Sequence, residues 1–118
     1  MDSSEFQISI DWNEAKRVAI LGLEGQLDAH TFQLLEKTFE NHFAEDKYRI
    51  IVDLSKLHYV SSAGCGQFIA AASDAKNKGG MVVFINASES VSASLQVIGI
   101  LDVLPAAPNL EAALAMFK

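Results

Sequence analysis

The segment Ser61-Ser62-Ala63-Gly64-Cys65-Gly66 gathers the side chains of this sequence best placed to do chemistry. It joins an apolar run to a stretch of helical patterning, so one of its serines falls at a helix start. A hydroxyl there lies near backbone N–H groups that have no acceptor within the helix. A phosphate on it would be held by those donors and by the positive end of the helix. Capping by Ser61 or Ser62 accounts for the same residues without any modification. The two roles are compatible, because a cap on the surface is open to a kinase. Gly64 and Gly66 either admit the backbone of a partner or only loosen the helix start. They match no nucleotide-binding loop, since Gly-x-Gly is a weak signal and the expected lysine is missing. Any phosphate here would be covalent.

Asp28 closes a strand region and is placed to cap the helix that contains Phe32. If parallel strand ends come together, Asp28 also approaches the Ser61-Ser62 turn, where its charge would oppose a phosphate. Asp53, at the end of a third strand, suits a turn or a buried hydrogen bond better than catalysis. Cys65 invites a nucleophile reading, because a helix start can lower a thiol pKa. His58 is near in sequence, but no third group orients a base, and the register of Cys65 with Phe68 and Ala72 turns it inward. His30, His42 and His58 lack metal-ligand spacing. The residues imply no catalytic group, no metal and no cofactor.

The whole chain, residues 1–118, fits one domain with a real core. Half of its residues are apolar and 20% are charged, the composition of an ordered globule. Nine Lys and Arg against fifteen Asp and Glu leave a net charge of −6. Such a surface repels nucleic-acid backbones and anionic lipid and favours protein partners. A single cysteine forbids an internal disulfide and fits a reducing compartment. The start lacks a secretion signal, and no run reaches the roughly eighteen apolar residues of a membrane span. The expected setting is the cytoplasm, with no membrane insertion.

Phe6, Ile8, Ile10 and Trp12 alternate with polar residues as in a half-buried strand. Asn13 and Glu14 make a turn into a second strand, Arg17 to Leu23, rich enough in apolar residues to be covered on both faces. The segment GLEGQLDAHT closes it and opens a helix carrying Phe32, Leu35, Phe39 and Phe43. RIIVDL reads as a buried central strand. SKLHYV then begins as a loop, and a helix runs from Ala63 or Gly64 with Cys65, Phe68, Ile69, Ala72 and Ala75 inward. MVVFI is another buried strand, and Val91, Leu95 and Ile98 mark a third helix. Ile100 to Leu104 form a weak last strand, and Asn109 caps a closing helix with Leu110, Ala113, Leu114 and Phe117. The order predicts an α/β domain: a mixed, mostly parallel sheet of about five strands with about four helices.

These segments together resemble the STAS domain family, and within it the bacterial anti-sigma factor antagonists, over about Phe6 to Phe117. The resemblance rests on Gly25-Gln26-Leu27-Asp28-Ala29, on IIVDLSKLHYVSSAG, and on the ending VLPAAPNLEAALAMF. The family's loop pattern is Asp-Ser-Ser/Thr-Gly, with its first serine as the phosphate acceptor. Here Ser61 stands in the aspartate position, Ser62 in the acceptor position, Ala63 in the next, and Gly64 matches the glycine. Gly66 matches a second family glycine, with Cys65 in place of a leucine between them, and the resemblance sets Asp28 beside the acceptor. It implies that the unphosphorylated chain binds an anti-sigma factor that is also a serine kinase, releasing the sigma factor. The kinase then phosphorylates Ser62 with its own ATP and breaks the complex, and a cognate phosphatase restores it. Ser61 departs from the pattern by removing a carboxylate next to the acceptor. The alternative is a STAS adaptor that is not phosphorylated, a subunit of a lipid-transport or signalling assembly.

Overall fold

The computed structural model describes residues 6–102 and 104–118. Five strands form one sheet in chain order: β1 (Gln7–Asn13), β2 (Val18–Leu27), β3 (Arg49–Val60), β4 (Met81–Ile85) and β5 (Ala106–Ala107). β1 and β2 are an antiparallel hairpin, and every later pairing is parallel. The helices are α1 (Phe32–Ala44), α2 (Ser62–Asn77), α3 (Glu89–Ile98) and α4 (Leu110–Leu114). This is the mixed, mostly parallel α/β sheet expected from the alternation of apolar runs and helical patterns.

The two faces of the sheet are covered differently. Ile50, Val52 and Leu54 of β3 join Leu35 and Phe39 of α1, Phe68 of α2 and Leu95 of α3 in the larger core. Ile51, between them in sequence, points to the other face and joins Val18, Val83, Ala113 and Phe117. A strand covered on both sides has no polar alternation, which is why RIIVDL reads as an unbroken run. Phe68 and Phe84 meet edge to face at 4.8 Å in the larger core, the favoured aromatic geometry. On the second face α4 is short, so only the beginning of β2 is covered. Val18 is buried and Ile20 half-buried, but Glu24 and Gln26 are exposed.

Several boundaries differ from the sequence reading. β2 runs to Leu27 rather than Leu23, and β3 runs to Val60, so SKLHYV is strand and not loop. β4 accompanies β3 only from Arg49 to Asp53. Beyond that point β3 pairs with β2 alone, from Glu24↔Lys56 to Leu27↔Val60, with register shifts in between. One-sided pairing leaves Ser55, Lys56, His58 and Tyr59 exposed, and that polarity hides the strand in the sequence. Asp53 therefore lies within β3, where its carboxylate accepts from the Ser55 N–H. Ile10 is exposed rather than half-buried, and in α2 Ala71 is buried while Ile69 is 44% exposed. The buried stripe Cys65-Phe68-Ala71-Ala75 leaves Ile69 on its flank. Ile98 is likewise at the surface, and the Ile100 to Leu104 strand is replaced by a 3-10 turn over Ile100–Asp102. Val103 lies outside the described residues.

The turn from α2 into β4 is packed tightly on β3. The Met81 N–H donates to the Tyr48 carbonyl at 2.9 Å. A Cβ on Gly80 would strike that same carbonyl oxygen and lie 2.6 Å from the Tyr48 Cβ. Gly80→Ala is expected to destabilise the domain by about 1–3 kcal/mol, because backbone must move to admit the methyl. Urea unfolding monitored by circular dichroism measures it, and an unchanged midpoint would refute the close approach.

Candidate functional site: the corner where β3 meets α2

β2 and β3 end side by side, and α2 starts from that shared end. The last register pair is Leu27↔Val60. The next residue on β3, Ser61, donates its N–H to the Leu27 carbonyl at 2.9 Å. Ser61 is the N-cap of α2: its backbone is extended and its Oγ accepts from the Gly64 N–H at 3.2 Å. Its carbonyl accepts from the Cys65 N–H at 3.0 Å. Of the two serines that could cap, Ser61 does so. Ser62 is the first helical residue, exposed, as is Ala63. The N–H groups of Ser62 and Ala63 precede the first intrahelical acceptor, so the corner presents donors and the positive end of a sixteen-residue helix.

Asp28 follows Leu27 as Ser61 follows Val60, and the parallel register brings the two turns together. Asp28 does not cap α1; the N-cap is Thr31, three residues further on. The Asp28 carboxylate instead closes a local turn, accepting from the His30 N–H at 2.9 Å and the Thr31 hydroxyl at 3.3 Å. The Thr31 hydroxyl in turn accepts from the Asp28 N–H, and its single proton is shared between the Gln26 carbonyl at 2.8 Å and the Asp28 carboxylate. Thr31 can do this because β2 is still in register at Leu27, which fixes both ends of the turn. The half-buried Asp28 side chain is thus held at the end of β2 by its own neighbours, not by the serines.

The two glycines of the corner differ. A Cβ on Gly64 would sit 2.6 Å from the Leu27 Cγ and 3.1 Å from the Leu27 carbonyl oxygen, so Gly64 lets the helix start lie on β2. Gly66 faces open space. Cys65, between them, is buried, and burial pushes its thiol above the ordinary value of 9.0. It is a packing group held protonated at neutral pH, while His58 is exposed on β3. Among the described residues no three His, Cys, Asp or Glu side chains are grouped to hold a metal ion.

A groove of about 410 Å³ opens beside Ser62, lined by Tyr59, Val60, Ser61, Ser62, Ala93, Ser94, Val97 and Ile98. Its apolar side chains are unusually exposed: Tyr59 by 50%, Val97 by 87% and Ile98 by 38%. Reading the sequence alone passes over Tyr59 and Val97. The available signal was that Val97 falls off the Val91–Leu95 spacing of the buried side of α3.

Fold and corner together define a small α/β domain with an exposed serine at a strand-to-helix junction beside an apolar groove. The STAS domain model matches residues 9–113, and the chain belongs to that family. It is 28% identical over 96 residues to BtrV of Bordetella bronchiseptica, assigned as an anti-sigma factor antagonist, covering 81% of this chain and 83% of that one. The structure of an anti-sigma factor antagonist from Mycobacterium paratuberculosis superposes with a TM-score of 0.82 at 20% identity, over 97% of this chain and 95% of that one. The phosphorylated form of the Bacillus cell fate determinant SpoIIAA gives 0.66 at 19% identity, over 92% and 96%. At such identities the structural likeness establishes the fold.

Two measurements check the local geometry. Gly64→Ala is expected to cost about 1–3 kcal/mol through the clash with Leu27. Gly66→Ala is expected to stabilise by up to about 1 kcal/mol, since alanine suits an unobstructed helix better; equal effects at the two sites would contradict the packing. A thiol whose pKa is raised on folding contributes stability below its unfolded value and loses it as pH rises through the folded one. Thermal stability of the wild type should therefore fall more steeply above about pH 9 than that of Cys65→Ala. Parallel pH profiles would remove Cys65 as the cause.

Proposed function

We propose that this chain is an anti-sigma factor antagonist whose binding is switched at Ser62. In its unphosphorylated form it engages an anti-sigma factor with serine-kinase activity in the cytoplasm, through the corner and the adjoining groove, and frees the sigma factor. The observation that carries the reading is Ser62 itself, exposed at the first position of α2 and bordering an open apolar groove. The name of the Bordetella relative and the phosphorylated state of the Bacillus one support the same reading. The neutral hydroxyl lets a partner close over Tyr59, Val97 and Ile98. A phosphate brings about −1.5 to −2 charges to that rim and makes the contact costly to desolvate. The first turn of α2 accommodates those charges inside the domain, so folding survives while binding is lost. A cognate phosphatase resets the chain.

Ser61 replaces a carboxylate of the family pattern without loss of the cap, because serine and aspartate cap comparably. What changes is the charge beside the acceptor, leaving Asp28 as the acidic group of the corner. Gly64 sets the closeness of the helix to β2, while Ala63 and Gly66 offer the partner a low surface with no bulky side chain.

The test is incubation with the cognate kinase and ATP, residue-resolved mass spectrometry, and affinities for the kinase. Ser62→Ala should resist modification and bind persistently, Ser62→Asp should bind at least about tenfold more weakly, and Ser61→Ala should still be modified at Ser62. Asp28→Asn keeps an acceptor for the His30 N–H, so its stability should hold while phosphorylation slows. An unmodified Ser62, or a phosphorylated form that binds as tightly as the unmodified one, would sink the switch. The groove would then serve a STAS adaptor that is never phosphorylated.

A further inference from the structure

The sheet has two edges, and they are not alike. β5 is two residues long and lies between Pro105 and Pro108. A short, proline-flanked edge offers a second chain little to pair with. β1 pairs with β2 without a register shift, from Gln7↔Glu24 to Asn13↔Val18. Its sequence QISIDWN holds no lysine and no proline. The usual devices that keep an edge strand from pairing are absent from it: lysine, proline and a bulge.

The direction of its free backbone groups can be read from one hydrogen bond. The Trp12 N–H donates to the carboxylate of Asp11 at 2.9 Å, not to β2. Direction alternates along an antiparallel strand, so Ile8, Ile10 and Trp12 aim their N–H and C=O groups away from β2. These are also the apolar residues of the strand. Ile8 and Trp12 are partly buried against the larger core, and Ile10 is 60% exposed.

We propose that β1 pairs antiparallel with β1 of a second copy of this chain, about a two-fold axis at Ile10. In that register Ile8 faces the partner subunit's Trp12, and Ile10 faces the partner subunit's Ile10. On the opposite side of the ladder Gln7 faces the partner subunit's Asn13, and Ser9 faces the partner subunit's Asp11. Apolar residues meet apolar ones, polar residues meet polar ones, and no like charges stand directly opposite. The outward groups of Ile8, Ile10 and Trp12 meet their counterparts and exchange backbone hydrogen bonds. A one-residue slip would set them against groups already bonded to β2, and a two-residue slip shortens the ladder. Asp11 restrains the pairing: its carboxylate occupies the Trp12 N–H in the single chain and is a diagonal neighbour of the partner subunit's Asp11. One seven-residue ladder is a small interface, so the dimer is weak and concentration-dependent.

Sedimentation velocity on the full chain, over a series reaching millimolar concentration, tests this. The dimer fraction should rise with concentration. Asp11→Ala should lower the midpoint about threefold to tenfold, by removing the competing acceptor and the diagonal repulsion. Ile10→Lys sets two cations face to face and should raise the midpoint about tenfold or more. Ile10→Pro removes an N–H that β2 does not use, so it should fold with an unchanged circular dichroism spectrum and stay monomeric. Should the proline variant fail to fold, Ile10→Lys gives the same reading. A wild type that is monomeric throughout, or a dimer that Ile10→Lys leaves intact, overturns the proposal.

Discussion

The hydrogen bond from the Ser61 N–H to the Leu27 carbonyl joins the sheet to α2, and the geometry of the corner follows from it. It is the last rung of the β2–β3 ladder, made by a residue that has already left the strand to cap a helix. Because Ser61 is held at 2.9 Å from the Leu27 carbonyl, the first turn of α2 must lie over the end of β2. Only a residue without a Cβ fits at Gly64 under that constraint. The same rung sets Asp28, one residue past Leu27, level with the serine turn. A shift of β3 against β2 by one residue would turn Leu57 and Val60 outward, so burial of these side chains enforces the register.

Much of this was legible from the residues. Phe39 and Leu35 mark one face of α1 at helical spacing, and MVVFI is too short and apolar to be anything but a covered strand. The far ends of β2 and β3 were not legible, because the usual signal for a strand is burial and these ends are buried on one face only. Lys56, His58 and Tyr59 are polar or exposed because β4 has stopped at Ile85 and, among the described residues, no strand pairs with β3 on that side. Register shifts after Gly22 and Gly25 further break the two-residue period from which a strand is recognised. The misplaced last strand has a similar cause: Ile100 and Leu104 are buried, but Ile100 lies in a 3-10 turn to whose start the Leu104 N–H bonds, and Pro105 and Pro108 bracket the residues that do pair. At the site, the position of Ser62 could be read to within a residue. The choice between Ser61 and Ser62 as cap could not, because both are good caps and only the backbone of Ser61 is extended.

Asp28 illustrates how one residue type serves two structural solutions. An aspartate before a helix usually caps it, and its distance from Phe32 is compatible with that role. Here β2 continues to Leu27, the Asp28 backbone carbonyl rather than its side chain takes the Phe32 N–H, and Thr31 holds the cap position. The carboxylate closes the intervening turn with the His30 N–H and the Thr31 hydroxyl. Its position is therefore set by its own turn and by the end of β2. A charge fixed in this way is already ordered, so any group that came to contact it would pay little side-chain entropy there.

The electrostatics of the corner follow from these positions. A helix start carries about half a positive charge, spread over N–H groups that include those of Ser62 and Ala63. A phosphate on Ser62 carries three to four times that charge with opposite sign. The helix can stabilise it but cannot neutralise it, and the fixed carboxylate of Asp28 adds to the excess. Inside the isolated domain the remainder is hydrated, because Ser62 is exposed, so the fold is little affected. Under a partner seated on Tyr59, Val97 and Ile98, that hydration would have to be removed from a group bordering an apolar groove. The same exposure that makes the serine accessible would therefore make a phosphate there compatible with the folded domain and incompatible with a closed apolar contact.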